Sequence, residues 1–108
     1  MLFLNHPQVR TYFLKNGHVY TLRSSRRKRE GLQVIVHGTR FKHLRVGRGV
    51  VRLVKVIKLR PTALGPYVRR SGFKASMDWI AAYRSLNGGK APVMAFLYQV
   101  KVSAGAAK

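Results

Sequence analysis

The chain has no cysteine, only two acidic residues and no long apolar run in its 108 residues. Without cysteine there is no disulfide, no thiolate nucleophile and no Cys-ligated zinc or iron–sulfur site. The two acids, Glu30 and Asp78, face 22 Lys and Arg, giving a formal charge of +20. Networks of salt bridges cannot support such a fold, and a hydrolase built on paired carboxylates would consume both acids. The four histidines (His6, His18, His37 and His43) lack acidic neighbours and short metal spacing, so neither a metal nor any other cofactor is expected. The apolar runs are too short to cross a bilayer. The opening MLFLN has no basic region and no long apolar stretch, so a cytoplasmic rather than secreted protein is expected.

What is there fits one domain over residues 1–108, with a short lead-in at 1–7 and a flexible tail at 103–108. Val9 to Leu14 alternates weakly and reads as a strand, and Asn16-Gly17 as a hairpin turn. His18 to Arg23 has period two: Val19, Thr21 and Arg23 on one face, His18, Tyr20 and Leu22 on the other. Residues 24–31 crowd cations with no apolar anchor and read as a mobile loop. Leu32 to Val36 is a short β-branched strand, and the Gly-rich 37–49 stretch a hairpin or wide loop. In Val50 to Leu59 the cations recur every three residues, as on a helix. The apolar residues are mostly β-branched, which favours a long strand with a bulge that resets the face of the cations. Thr62 to Arg70 suits a short helical turn interrupted at Gly65-Pro66, and Ser71-Gly72-Phe73 a turn. A helix capped by Ser76, with Asp78 in its first turn, runs to Asn87-Gly88-Gly89. Val93 to Val102 is a closing strand. This order predicts an α+β fold, a small closed or half-closed β-barrel with one or two short helices.

The positive charge is concentrated rather than spread. Arg23, Arg26, Arg27, Lys28 and Arg29 fall within seven residues. Arg40, Lys42, Arg45, Arg48, Arg52, Lys55, Lys58 and Arg60 follow. Arg predominates here, and its fork matches a phosphate through two hydrogen bonds. A polyanion is the natural partner of such a surface. Most aromatics read as core, Trp79 and Tyr83 among them. Phe41 stands apart, between Arg40 and Lys42, as a candidate for stacking on RNA or for capping the barrel. His37 and His43 read as hydrogen-bond or phosphate contacts, with an acid–base pair of a nuclease as the lesser reading.

Three short motifs resemble the ASCH branch of the PUA-like superfamily, in particular its small archaeal members. They are a hairpin ending in Thr21-Leu22-Arg23 with a basic stretch after it, Ser71-Gly72-Phe73 followed by a helix carrying Trp79, and a closing strand with Leu97-Tyr98-Gln99-Val100. The resemblance spans roughly residues 11–102. It implies a PUA-like pseudobarrel of five to six strands and an RNA-facing groove. Some such proteins resemble amidohydrolases of acetylated cytidine that use a Lys, a Thr and a Glu. Thr21 matches the Thr, the Lys position falls on or near His18, and the strand from Val50 to Leu59 carries no Glu. The resemblance therefore implies a vestigial pocket at His18 and Thr21 and no catalytic residues.

Two expectations follow. The first is a structural RNA-binding protein, foremost a ribosomal protein. It would hold rRNA phosphates with the thirteen cations above and with Phe41 and His43, beside neighbouring ribosomal proteins and without a membrane or small-molecule cofactor. The second is a PUA-like enzyme or tRNA-binding factor acting on modified nucleotides, with His18, Thr21 and Arg23 around its pocket. A DNA-coating protein is a third, weaker reading of the composition.

Overall fold

The computed structural model describes residues 2–39, 41–86, 88 and 93–102. Eight elements follow one another: β1 (Leu2–Phe3), α1 (Pro7–Asn16), β2 (His18–Arg23), β3 (Gly31–Gly38), β4 (His43–Lys58), α2 (Pro61–Val68), α3 (Ser76–Leu86) and β5 (Met94–Val102). The strands form one mixed sheet in the order β1-β3-β4-β5-β2. It curls into a half-barrel. The α+β class and the count of five strands match the sequence reading, but the described residues form three helices rather than one or two.

Three readings of the N-terminal region are corrected. Residues 1–7 are not merely a lead-in, because Leu2 and Phe3 pair in parallel with Ile35 and Val36. Val9 to Leu14 is not a strand. Pro7 occupies the first turn of α1, His6 caps it through Nδ1 accepting from the Gln8 N–H, and Val9 and Phe13 are its buried residues. That i,i+4 spacing is the apolar stripe of a helix. Gly17, read as half of a hairpin turn, is instead the helix C-cap, with φ +74° and its N–H donating to the Phe13 carbonyl. Only glycine takes that conformation without steric cost.

The 24–30 segment is irregular, as read, yet pinned. The Arg27 N–H donates to the Tyr98 hydroxyl at 2.7 Å, and the Gln33 amide donates to the Arg29 carbonyl at 2.9 Å. The 37–49 stretch is the β3–β4 hairpin. Residues 50–58 are the second half of the sixteen-residue β4, whose register against β5 shifts between Leu53 and Lys55. Gly65-Pro66 does not interrupt α2, which contains Pro66. The Trp79 N–H donates to the Ala75 carbonyl, so Ala75 is the N-cap of α3 and Ser76 its first helical residue. Asn87, Gly89, Pro92 and the 103–108 tail lie outside the described residues.

The core lies on the concave face of the sheet and, at the end formed by Leu22, Ile57, Ala95 and Leu97, on the opposite face as well. Leu2, Val19, Ile35, Val51, Tyr98 and Val100 have no exposed surface. Gly49 leaves room there, since a Cβ would sit 2.9 Å from Val100 Cγ1. Leu64, Trp79, Ile80 and Tyr83 from α2 and α3 join the same buried cluster, which places Trp79 and Tyr83 in the core as expected. β1 and β2 are the two edges of the sheet and do not pair. Helix α1, the 71–73 turn and α3 fill the seam between them, and the Tyr20 N–H on β2 is satisfied by the Arg70 carbonyl at 2.8 Å.

Candidate nucleic-acid interface

The ladder fixes which side chains share the convex face of the sheet. Leu32 opposes Val50, Val50 opposes Lys101, and Lys101 opposes His18. In the next rows Val34 opposes Arg48, and Arg52 opposes Gln99, which opposes Tyr20. Lys55 rejoins this face opposite Leu97, because the extra residue Val54 shifts the alternation by one. Arg48, Arg52, Lys55 and Lys101 are exposed, while Val34, Val50, Tyr20 and His18 are half-buried between them. Tyr20 meets Tyr67 of α2 edge to face, ring centroids 5.2 Å apart. The surface is thus cationic, with apolar and aromatic ground between the charges. Lys101 was missed in the sequence. The period-two pattern of β5 would have placed it beside Gln99, but only the pairing with β4 shows that it joins Arg52.

A second group sits at the tip of the β3–β4 hairpin. Phe41 is 96% exposed, so it does not cap the barrel. Lys42, His43 and Arg45 are exposed beside it, and Arg40 lies outside the described residues. The tip is held firmly from below. Asn5 Nδ2 donates to the Gly38 carbonyl at 3.0 Å, and the Gly38 N–H donates back to Asn5 Oδ1 at 2.8 Å. The Lys42 N–H donates to Thr39 Oγ1, and the Thr39 N–H to the Lys42 carbonyl. Gly38 has φ +120°, and a Cβ would stand 2.5 Å from the Lys42 carbonyl oxygen. The Phe3 ring packs edge-on against His43 with centroids 6.1 Å apart.

The 24–30 segment forms the third group. Arg26, Lys28 and Arg29 are exposed. Arg27 is half-buried, with Nη2 donating to Gln33 Oε1 at 2.6 Å. Desolvation holds its pKa below the usual arginine value, partly offset by Tyr98. Lys58 and Arg60 are exposed at the junction of β4 and α2.

The pocket residues part company. Thr21 and Arg23 line a cavity of about 50 Å³ in the β1–β2 seam, with Phe3, His6, Leu22, Phe73, Trp79 and Tyr83 among its walls. His18 lies elsewhere, edge-on against Tyr12 at 5.7 Å. Arg23 turns away from the exposed cations: Nη2 donates to the Phe3 carbonyl at 2.8 Å, bridging the two sheet edges. Burial, and secondarily the neighbouring Arg27, pushes its pKa down to about 10 against a smaller raising effect of Tyr98. Burial raises the pKa of Tyr83, partly offset by a hydrogen bond with Ser24. Among the described residues no cluster of three or more His, Asp or Glu could hold a metal, and no helix is long and apolar enough to cross a membrane.

No protein-family model matches the chain, and neither a curated protein nor a solved structure matches it.

Proposed function

We propose that the protein is a structural RNA-binding protein that neutralises phosphates through its exposed cations, with ribosomal RNA as the partner it suits best. One observation carries this reading. β4 and the start of α2 present Arg45, Arg48, Arg52, Lys55, Lys58 and Arg60 to solvent, in a chain with two carboxylates. One of these, Glu30, accepts the backbone N–H of Leu53 on β4. A surface of this kind repels itself until a polyanion covers it. Binding would release counterions, so six to ten phosphate contacts would lose roughly three to five decades of affinity between 50 and 200 mM salt. Phe41 adds a ring able to stack on an unpaired base.

The test is sedimentation of lysate through a sucrose gradient at about 0.5 M salt, which shortens the Debye length to a few ångströms. Co-sedimentation with one ribosomal subunit at near one copy per particle supports the ribosomal reading. A protein found free at the top overturns it.

The seam cavity favours a second reading, a PUA-like enzyme or tRNA-binding factor acting on modified nucleotides. Thr21 lines that cavity, but no carboxylate does, and a threonine without a base is a weak nucleophile. Turnover of a modified nucleoside, abolished in Thr21→Val, would establish this reading; no turnover leaves the site without chemistry.

A further inference from the structure

The cavity in the β1–β2 seam has apolar walls, Leu22, Phe73 and Trp79 among them, broken by Thr21 and Arg23. Both polar side chains carry an unsatisfied atom. Thr21 is 5% exposed, and its Oγ1 has no hydrogen-bond partner. Arg23 Nε is likewise buried and unpartnered. The same guanidinium has a neutral acceptor, the Phe3 carbonyl, and none of the residues around the cavity is acidic. The chain's two acids are engaged elsewhere: Glu30 at the Leu53 N–H and Asp78 in the first turn of α3, exposed. A buried cation is normally paired, and a buried hydroxyl normally bonded. Here no described residue supplies the pairing partner.

Thr21 and Arg23 stand two residues apart on β2, so both side chains leave the strand on one face, roughly 6.6 Å apart along it. A water-sized probe reaches neither atom as the seam stands, so an oxyanion that satisfies both, one oxygen accepting from Nε–H and another from the threonine hydroxyl, has to open the seam slightly. Charge-assisted bonds of this type are the strong ones. A volume of about 50 Å³ equals roughly three or four water sites. That admits a carboxylate or a single phosphoryl group. Asn5 and His6 also border the cavity, so further polar groups stand near the ligand.

We propose that the seam between β1 and β2 is a binding site for a small oxyanion, a carboxylate or a terminal phosphoryl group, held by Arg23 and Thr21. This site is separate from the convex cationic face and does not depend on the RNA reading. Its oxyanion comes either from a free small molecule or from the phosphorylated end of a nucleic acid.

The test is a titration of the ¹⁵N-labelled full chain with acetate and, separately, inorganic phosphate, with chloride keeping ionic strength constant. The arginine Nε–H resonances are followed. Saturable movement of the Arg23 signal is expected, while those of exposed Arg45 and Arg48 drift without saturating. Thr21→Val, nearly the same shape, is expected to weaken the anion at least fivefold. It should also raise the melting temperature in chloride, because it deletes an unsatisfied hydroxyl. Arg23→Gln tests the cation; if that variant fails to fold, Thr21→Val still decides. An Arg23 signal that does not saturate overturns the proposal and leaves a water-filled cavity. So does a Thr21→Val affinity equal to that of the wild type. Competition by a short oligonucleotide distinguishes the sources. Displacement by the 5′-phosphorylated form but not the 5′-hydroxyl form assigns the site to nucleic-acid ends. Displacement by neither assigns it to a free oxyanion.

Discussion

The Glu30 carboxylate accepts the Leu53 backbone N–H at 2.6 Å, immediately before the register shift of β4. A bulge leaves ladder groups without a strand partner. Here a side chain supplies the acceptor, and it is one of the chain's two acids. The bulge puts Lys55 and Ile57 on the same face as Arg52; Lys55 is exposed, whereas Ile57, opposite Ala95, is buried. Glu30→Ala is expected to cost about 1 kcal/mol, since the group is exposed and its charge is screened. Glu30→Gln keeps an acceptor and should cost less. Urea denaturation measures both; a Glu30→Ala variant as stable as wild type would remove Glu30 from this role.

Tyr98 gives a second test. Its ring is fully buried, and its hydroxyl accepts the Arg27 N–H. Tyr98→Phe leaves that donor unsatisfied and should destabilise by about 1–3 kcal/mol. Faster amide exchange in residues 24–30 should accompany the loss, because this contact anchors the loop to the core.

His6 links stability to pH. Burial, and secondarily Arg10, lowers its pKa in the folded protein. The neutral ring also provides the Nδ1 acceptor that caps α1. The unfolded chain therefore binds the proton more readily, near the ordinary value of 6.5. The His6 contribution is fully present above that pH and falls as pH drops through 6.5 toward the lower folded value. His6→Asn, a good N-cap that does not titrate, should flatten this part of the stability profile. Thermal melts from pH 8 to 5 test this; an unchanged slope would assign the pH dependence to other groups.

Two sets of exposed cations can be separated by salt. Replacing Arg26, Lys28 and Arg29 with Ser should lower the slope of log affinity against log salt by about two units if all three meet phosphates. Replacing Arg48, Arg52 and Lys55 tests the convex face in the same way. Affinity should fall for RNA of any sequence. A slope that neither set changes would place the RNA elsewhere on the protein.

Phe41 contributes little to the fold, so Phe41→Ala should alter stability by less than about 0.5 kcal/mol. It should nevertheless reduce binding of RNA with unpaired bases, by about 1–3 kcal/mol if one base stacks on the ring. Duplex binding should barely change. Equal losses on both substrates would argue against stacking.

Much of the β architecture was legible because β-branched residues and period-two alternation act locally. The bulge in β4 was readable from a conflict within one segment: cations spaced by three among residues suited to a strand. Helix α1 was misread because Tyr12 and Phe13 mimic a strand, and Asn16-Gly17 serves a hairpin or a helix end equally well. Pro7, followed by Val9 and Phe13, was the signal that decides between them. β1 was beyond reach, since two residues carry no periodicity and their pairing with β3 is long-range. For the site, cation identities were readable but their grouping was not. Lys101 and Arg52 are 49 positions apart and share a face through the β4–β5 ladder. Arg23 belongs to the same basic run as Arg26, yet it turns into the seam, because it ends a strand at the open edge of the sheet.

The strand order carries a consequence for biosynthesis. β5 is made after the other four described strands, yet it lies between β4 and β2 and holds both. Until residues 94–102 have been synthesised, β2 has no strand partner and only the β1–β3–β4 portion of the sheet can assemble. The nascent chain therefore carries most of its basic residues before it can close its core. Mutual repulsion among those cations opposes self-association during that interval, so the charge that suits a polyanion also protects the unfinished chain.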